Sequence, residues 1–406
     1  MAHPIQIAEG AGSDADQASM ADPVASARSL RGELFQRAEQ CEQERRVPEA
    51  SIAAMRELGL FKVGVPRRAG GPGHRLETLF RVTAELAKGC MSTAWVQNLL
   101  SGVTALAASM PPAARDRIFV TGEELVCGVL MMTGTARPVE GGYRVSGSWG
   151  FASGCLHADW GLGGVRITDA DGDVVDEAYA FMPIGPGGLT IKDTWKVAGV
   201  VGSGSNTLLA DDLFVPTDLV RRLSETPPDD ALFEQEGLEP RDKWPAGPRL
   251  PIGVIAPILG ATQAMVEIVA ADFKKRGVTY WRYERQADSA TLLNELGLAG
   301  IETESAWLHM RRVAEMMDEV SVARPLTALE KARVQTDCGY AAKLLRSAAD
   351  RLMDIAGASG FACANPLQRF WRDVHLGSRH AFLNTSMATE LYGRYLAGAP
   401  SNSDYF

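Results

Sequence analysis

The strongest constraint on what this 406-residue chain can fold into is the order in which its periodicity changes. From about residue 30 to 120, apolar residues recur at helical spacing, as in Leu30, Leu34, Ala38 and Cys41. Pro48 and Gly59 bracket a short helix, and a longer helical stretch runs from Leu76 to Met110. Between about 125 and 220 the texture is that of strands, in runs such as LVCGVLMM, YRVSGSW, EAYAFMPI and LTIKDTW. Glu140-Gly141-Gly142 and Ala170-Asp171-Gly172 supply hairpin turns, because Gly and Asp tolerate positive φ. After a polar, proline-rich connector the helical period returns, over about 252–275, 291–321, 327–356 and 378–397, lengths that suit an antiparallel bundle. Helices, then strands, then helices is an α+β order, mostly α, without the βα alternation of a parallel sheet. The expected division is a mobile tail over 1–28, a helical domain over 29–122, a β domain over 123–222, a connector over 223–250 and a helical bundle over 251–406.

Several functions are excluded by what the chain lacks. Its net charge is -9, with 41 basic and 50 acidic residues and no basic stripe, which argues against nucleic acid as a partner. The longest apolar runs are interrupted before they span a bilayer, so no membrane segment is expected. The N-terminus has neither the basic flank nor the apolar run of a secretory signal, and the expected location is the cytoplasm. The cysteines at 41, 90, 127, 155, 338 and 363 form no C-x-x-C pair, so they read as reduced thiols and no metal site is expected. The phosphate-cradling glycine signatures of nucleotide folds and the nucleophile elbow are absent.

What remains concentrates in a few blocks: STAW (92–95), SGSWGFASG (146–154), TWKVAGVVGSGSN (194–206), DLFVP (212–216) and WRDVHLGSRH (371–380). In a plain strand, Trp149, Phe151 and Ser153 share one side while Gly150, Ala152 and Gly154 leave the other bare. By residue type alone, Trp149 and Phe151 serve equally well as core.

Taken in order, these five blocks resemble the acyl-CoA dehydrogenase fold over about Leu30 to Leu396. More narrowly, they resemble its flavin-dependent monooxygenase branch, which includes p-hydroxyphenylacetate, secosteroid-phenol and aromatic-polyketide hydroxylases. The resemblance implies an N-terminal helical domain, a middle β-barrel and a C-terminal four-helix bundle, assembled as a homotetramer. It implies reduced FMN or FAD from a separate flavin reductase, reaction with O2 through a C4a-hydroperoxyflavin, and hydroxylation of an aromatic, phenolic or polyketide-like, substrate. A dehydrogenase would need a carboxylate base after the Arg372-Asp373 pair, yet Val374 to Ala388 holds no acid, and His380 stands beside the vacancy.

The implied site follows residue by residue. Ser153 contacts the flavin N5 edge, Trp149, Phe151 and Ala152 form its wall, and Ser203, Gly204 and Ser205 lie near the phosphate or ribityl chain. Arg276 either reaches a neighbouring subunit's flavin phosphate or belongs to a solvated cluster. His380 deprotonates the phenol or positions the hydroperoxide, with Asn384 one turn later orienting it. Trp95 and His157 line the substrate side, His157 facing either solvent or substrate. Where some relatives carry a second histidine this chain has Val103. Two further readings belong to the same resemblance: N-oxygenation of an amine or amino sugar, and an acyl-CoA dehydrogenase with a relocated base.

Overall fold

The computed structural model describes residues 22–403. Asp22 caps helix α1 (Pro23–Ser29), its carboxylate accepting from the Val24 N–H at 2.9 Å. The first helix thus begins inside the stretch expected to be a mobile tail, and the rest of that tail, residues 1–21, lies outside the described residues. Helix α2 (Arg31–Gln43) is followed by α3 (Glu49–Glu57), with Pro48 before it and Gly59, at φ +67°, after it. The single helix expected over 76–110 is two, α4 (Leu76–Ala87) and α5 (Met91–Ala108). The break comes where Cys90 is extended and Gly89 passes so close to α2 that a Cβ would sit 2.6 Å from the Arg31 carbonyl oxygen. A short α6 (Pro112–Ile118) closes the first helical region.

The strands are β1 (Val126–Val139), β2 (Gly142–Ala152), β3 (Trp160–Thr168), β4 (Val174–Pro183), β5 (Thr190–Lys192), β6 (Asn206–Pro216) and β7 (Val220–Arg222). They form one seven-stranded sheet in the order β5-β6-β2-β1-β3-β4-β7, antiparallel throughout except for the parallel β1–β3 pair. Gly141 and Gly172 turn the two predicted hairpins at φ +77° and +90°. The sheet curls on itself, so that Gly161 of β3 lies against Leu208 of β6 although two strands separate them.

The bundle comprises α7 (Ala246–Asp272), α8 (Ala290–Glu315) with its π-helical extension Met316–Val320 and the short α9 (Ser321–Ala323), then α10 (Ala328–Ala356), α11 (Pro366–Gly377) and α12 (Thr385–Leu396). A capping box starts α10, with Glu330 accepting from the Thr327 N–H at 2.8 Å. Helix α10 packs against α7, α8 and α12, and α11 lies on α7. Helix α7 is long and apolar enough to cross a membrane, but most of it is buried in the bundle. Its first five residues also lie inside the expected connector, which is otherwise built of short turns such as Asp229–Glu234. The helix expected over 378–397 begins only at Thr385, because residues 378–384 form a turn and the preceding segment is a helix of its own.

Two apolar cores result. The first helices and the sheet share one, and the bundle has the other. Helix α5 belongs to both: Ala94, Val96 and Leu100 join the sheet's core, while Met91 and Trp95 join the bundle's. The seam between them is where Trp95, Ser153 and His380 meet.

Candidate active site at the sheet and bundle seam

The end of β2 does not keep the alternation of a plain strand. Trp149 pairs with Leu208 and Ala152 with Asn206, so three steps on β2 match two on β6, which is a bulge. Phe151 takes φ +63°, and the rotation separates the two aromatic rings. Trp149 is 1% exposed, its indole lies within the space that Cβ atoms on Gly134, Gly147 and Gly163 would fill, and its N–H donates to the Gly164 carbonyl at 2.8 Å. It is a core residue and not a cofactor wall. Phe151 is 74% exposed and meets the buried Trp195 edge to face at 5.8 Å. Next to it Gly150 is open, a Cβ there meeting only the Thr207 hydroxyl at 3.7 Å.

Beyond the bulge the chain turns against α5. Gly154, at φ +77°, approaches Leu100 so closely that a Cβ would lie 2.9 Å from it, and its N–H donates to the Ser203 carbonyl at 3.1 Å. That placement aligns a run of buried hydroxyls. The Trp95 indole N–H donates to Ser153 Oγ at 3.2 Å, Ser153 Oγ lies 2.7 Å from Ser205 Oγ, and Ser205 Oγ lies 2.8 Å from Ser203 Oγ. Ser203 Oγ then donates to the Val200 carbonyl at 2.7 Å. Ser203 and Ser205, expected near the flavin phosphate or ribityl chain, are buried behind Ser153, with Gly204 packed against Leu156.

Sequence reasoning missed how this run is anchored. Val200 is a β-branched residue at φ +48°, a strained conformation, and its N–H donates to Asp373 Oδ1 at 2.5 Å while Trp195 Nε1 donates to its carbonyl at 3.1 Å. Burial pushes the Asp373 carboxyl up to about 7, opposed by the Val200 N–H. The available signal was an acid at 373 on the α11 face that also carries Phe370, Val374 and Gly377, all buried.

His380 is on no helix face. It is the N-cap of the turn Ala381–Leu383, and its Nδ1 accepts from the Phe382 N–H at 3.3 Å. The neutral ring therefore carries its proton on Nε2. Its centroid lies 6.0 Å from the Trp95 ring, since Gly377 lets α11 approach Trp95 to within 3.1 Å of where a Cβ would stand. Burial alone lowers its pKa to about 4, so it is neutral at physiological pH.

Three predicted residues take other places. Asn384 does not share a face with His380; it is exposed and caps α12, accepting from the Met387 N–H at 3.3 Å. His157 is buried against the first helices, 3.2 Å from the Glu49 carboxylate, and desolvation with nearby Arg46 lowers its pKa to about 4. Arg276 donates to the Ser359 hydroxyl at an end of the bundle. His375 packs on Trp371 at 4.5 Å and accepts from Arg379, the local packing its spacing indicates. A cavity of about 370 Å³ bounded by Arg56, Lys62, Thr104 and Glu124 is nine residues along α5 from Trp95 and takes no part in this cluster.

The arrangement suits a flat heteroaromatic ligand. A hydroxyl and an imidazole meet at Trp95, an exposed aromatic ring stands beside the open backbone of Gly150 on the same strand end, and no group of three or more metal-type ligands occurs among the described residues. Comparison with known proteins bears on the fold and the family. Residues 16–118 match the acyl-CoA dehydrogenase N-terminal domain and residues 252–385 the acyl-CoA dehydrogenase C-terminal domain. The chain is 30% identical to the oxygenase component of an FADH(2)-dependent resorcinol hydroxylase from Rhizobium sp. (strain MTP-10005), covering 91% of this chain and 92% of that one. It is 29% identical to the oxygenase subunit HsaA of a flavin-dependent monooxygenase from Rhodococcus jostii (strain RHA1), covering 90% and 96%. Among solved structures, XiaF from Streptomyces sp. in complex with FADH2 and glycerol superposes with a TM-score of 0.89 at 32% identity, covering 94% of this chain and 96% of that one.

Proposed function

This chain belongs to the acyl-CoA dehydrogenase family, in its branch of flavin-dependent hydroxylase oxygenase components, and we propose that it hydroxylates a phenolic aromatic substrate at the Trp95, Ser153 and His380 cluster. A flavin reductase is its partner, and reduced FMN or FAD its cofactor. When bound, reduced flavin would supply the two electrons that activate O2, one oxygen atom of which goes to the substrate while the other leaves as water. The observation that carries this reading is the seam itself, where Ser153 from the sheet and His380 from the bundle both meet the Trp95 side chain.

The residues have distinct tasks. Ser153 holds the polar edge of the flavin ring, Phe151 with Trp195 behind it covers an apolar face, and the buried walls of α5 and α11 exclude water. His380 is neutral at working pH and holds its proton on Nε2, so it donates to the oxygen of the phenol and stabilises negative charge there. Acting as a base at Nε2 would require the other tautomer and the loss of the Phe382 bond. The dehydrogenase reading is disfavoured, because the nearest acid in the block, Asp373, is buried and occupied by the Val200 N–H.

The assembly is a homotetramer in this proposal. Leu293, Ile301 and Leu308 make an exposed apolar stripe on α8, and Tyr280 and Trp281 project from the α7–α8 connection. Arg276 then serves a neighbouring copy. The six unpaired cysteines suit the reducing cytoplasm.

The test supplies reduced FMN or FAD and O2 to the purified chain with a panel of phenols, a panel of amines, and acyl-CoA thioesters with oxidised flavin. Hydroxylated phenol is expected. N-oxygenated amine without phenol product, or flavin reduced by a thioester, would replace this reading with one of its rivals.

A further inference from the structure

The buried hydroxyls between Trp95 and Val200 can be donor-counted from both ends. An indole N–H only donates and a carbonyl oxygen only accepts, while each serine has one proton and two lone pairs. Ser203 spends its proton on the Val200 carbonyl at 2.7 Å. Ser205, 2.8 Å from Ser203 Oγ, must then donate to it, and Ser153, 2.7 Å from Ser205 Oγ, must donate to Ser205. Reversing the run would leave the lone pairs of Ser203 Oγ and the Val200 oxygen facing each other at 2.7 Å. At the other end the Trp95 N–H occupies one lone pair of Ser153. Ser153 is left with a single unused position, an acceptor lone pair.

We infer that Ser205 and Ser203 are positioning residues that set the cofactor's redox specificity: they hold the Ser153 proton away from the cleft, so that Ser153 meets a flavin only as a hydrogen-bond acceptor. The inference rests on the flavin reading above and deepens it. The N5 atom of a reduced isoalloxazine carries a hydrogen and donates; that of the oxidised ring carries a lone pair and accepts. An acceptor-only Ser153 pairs with the first and repels the second. Asp373 holds the far end through the N–H of Val200, the residue whose carbonyl orients the whole run.

The experiment is anaerobic titration of the full chain with reduced and with oxidised FMN and FAD, reading the ratio of the two dissociation constants for each flavin. Wild type is expected to prefer the reduced form. Ser205→Ala frees the Ser153 proton to turn toward the cleft, and the preference is expected to fall roughly tenfold, the effect of one hydrogen bond gained by the oxidised ring and lost by the reduced one. Ser203→Ala, one step further back, is expected to act in the same direction, and Ser205→Thr, which keeps the hydroxyl, to restore the ratio. Circular dichroism confirms that each variant is folded, and Ser203→Ala carries the test if Ser205→Ala is not. Flavin binding with a ratio unchanged in the folded alanine variants overturns this inference alone. Wild type that binds neither form of either flavin overturns the flavin reading as well.

Discussion

Two buried tryptophans, one in the core of the sheet and one on the seam, differ in what their indole N–H reaches. Trp149 and Trp95 are both nearly inaccessible, and both donate their indole N–H. Trp149 donates to a backbone carbonyl of its own sheet and fills a trough of glycines on β1, β2 and β3. Its partner has no further role to pass on. Trp95 donates to a serine hydroxyl that still has a lone pair to offer, and beside its ring stands an imidazole without a charged neighbour. Burial is common to both; what differs is whether the hydrogen-bond partner is exhausted.

The contrast can be attacked first where the effect is largest. Trp149→Ala empties the sheet's core and should destabilise the chain by about 3–5 kcal/mol in denaturant titration, and a loss below ~1 kcal/mol would remove Trp149 from the structural side. Asp373→Asn should come next, through pH. Its folded pKa of about 7 exceeds the unfolded value, so the protonated form is the stabilised one, and stability falls as pH rises between about 4 and 7. The neutral variant should lack that fall, on the order of 3 kcal/mol, in unfolding midpoints compared at pH 4.5 and 8. A wild-type slope matched by the variant's would place the titration elsewhere.

His380→Ala should lower product formation about 100-fold, near 2.7 kcal/mol, with an unfolding midpoint little changed. Because burial holds its pKa to about 4, wild-type hydroxylation should show no His380 limb near pH 6.5 and should decline only as pH approaches 4. A limb at 6.5 that disappears in the variant would overturn the buried neutral imidazole. The smallest and most discriminating pair is Trp149→Phe against Trp95→Phe. The first removes the indole bond to the Gly164 carbonyl and should cost roughly 1–3 kcal/mol of stability without altering flavin affinity, and the second should shift reduced-flavin affinity severalfold at lesser structural cost. Equal effects on both measurements would erase the distinction between the two regions.

Much of this was legible in residues 30 to 397. The change of period at about 125 and again near 250, with Gly141 and Gly172 at the turns, dictates helices around a sheet, because side-chain spacing decides which face each element buries. The absence of acid from Val374 to Ala388 and the presence of His380 are also properties of the string alone. Tertiary structure decided the rest. No local rule announces that one extra residue between Trp149 and Ala152 turns Phe151 outward, because a bulge is fixed by register against β6. Nor does spacing reveal that Ser153, Ser205 and Ser203 form one directed run, that Asp373 secures its end from 173 positions away, or that a backbone N–H chooses the His380 tautomer. Periodicity is a local property of the chain, whereas hydrogen-bond direction depends on which donor and acceptor the fold brings to its two ends.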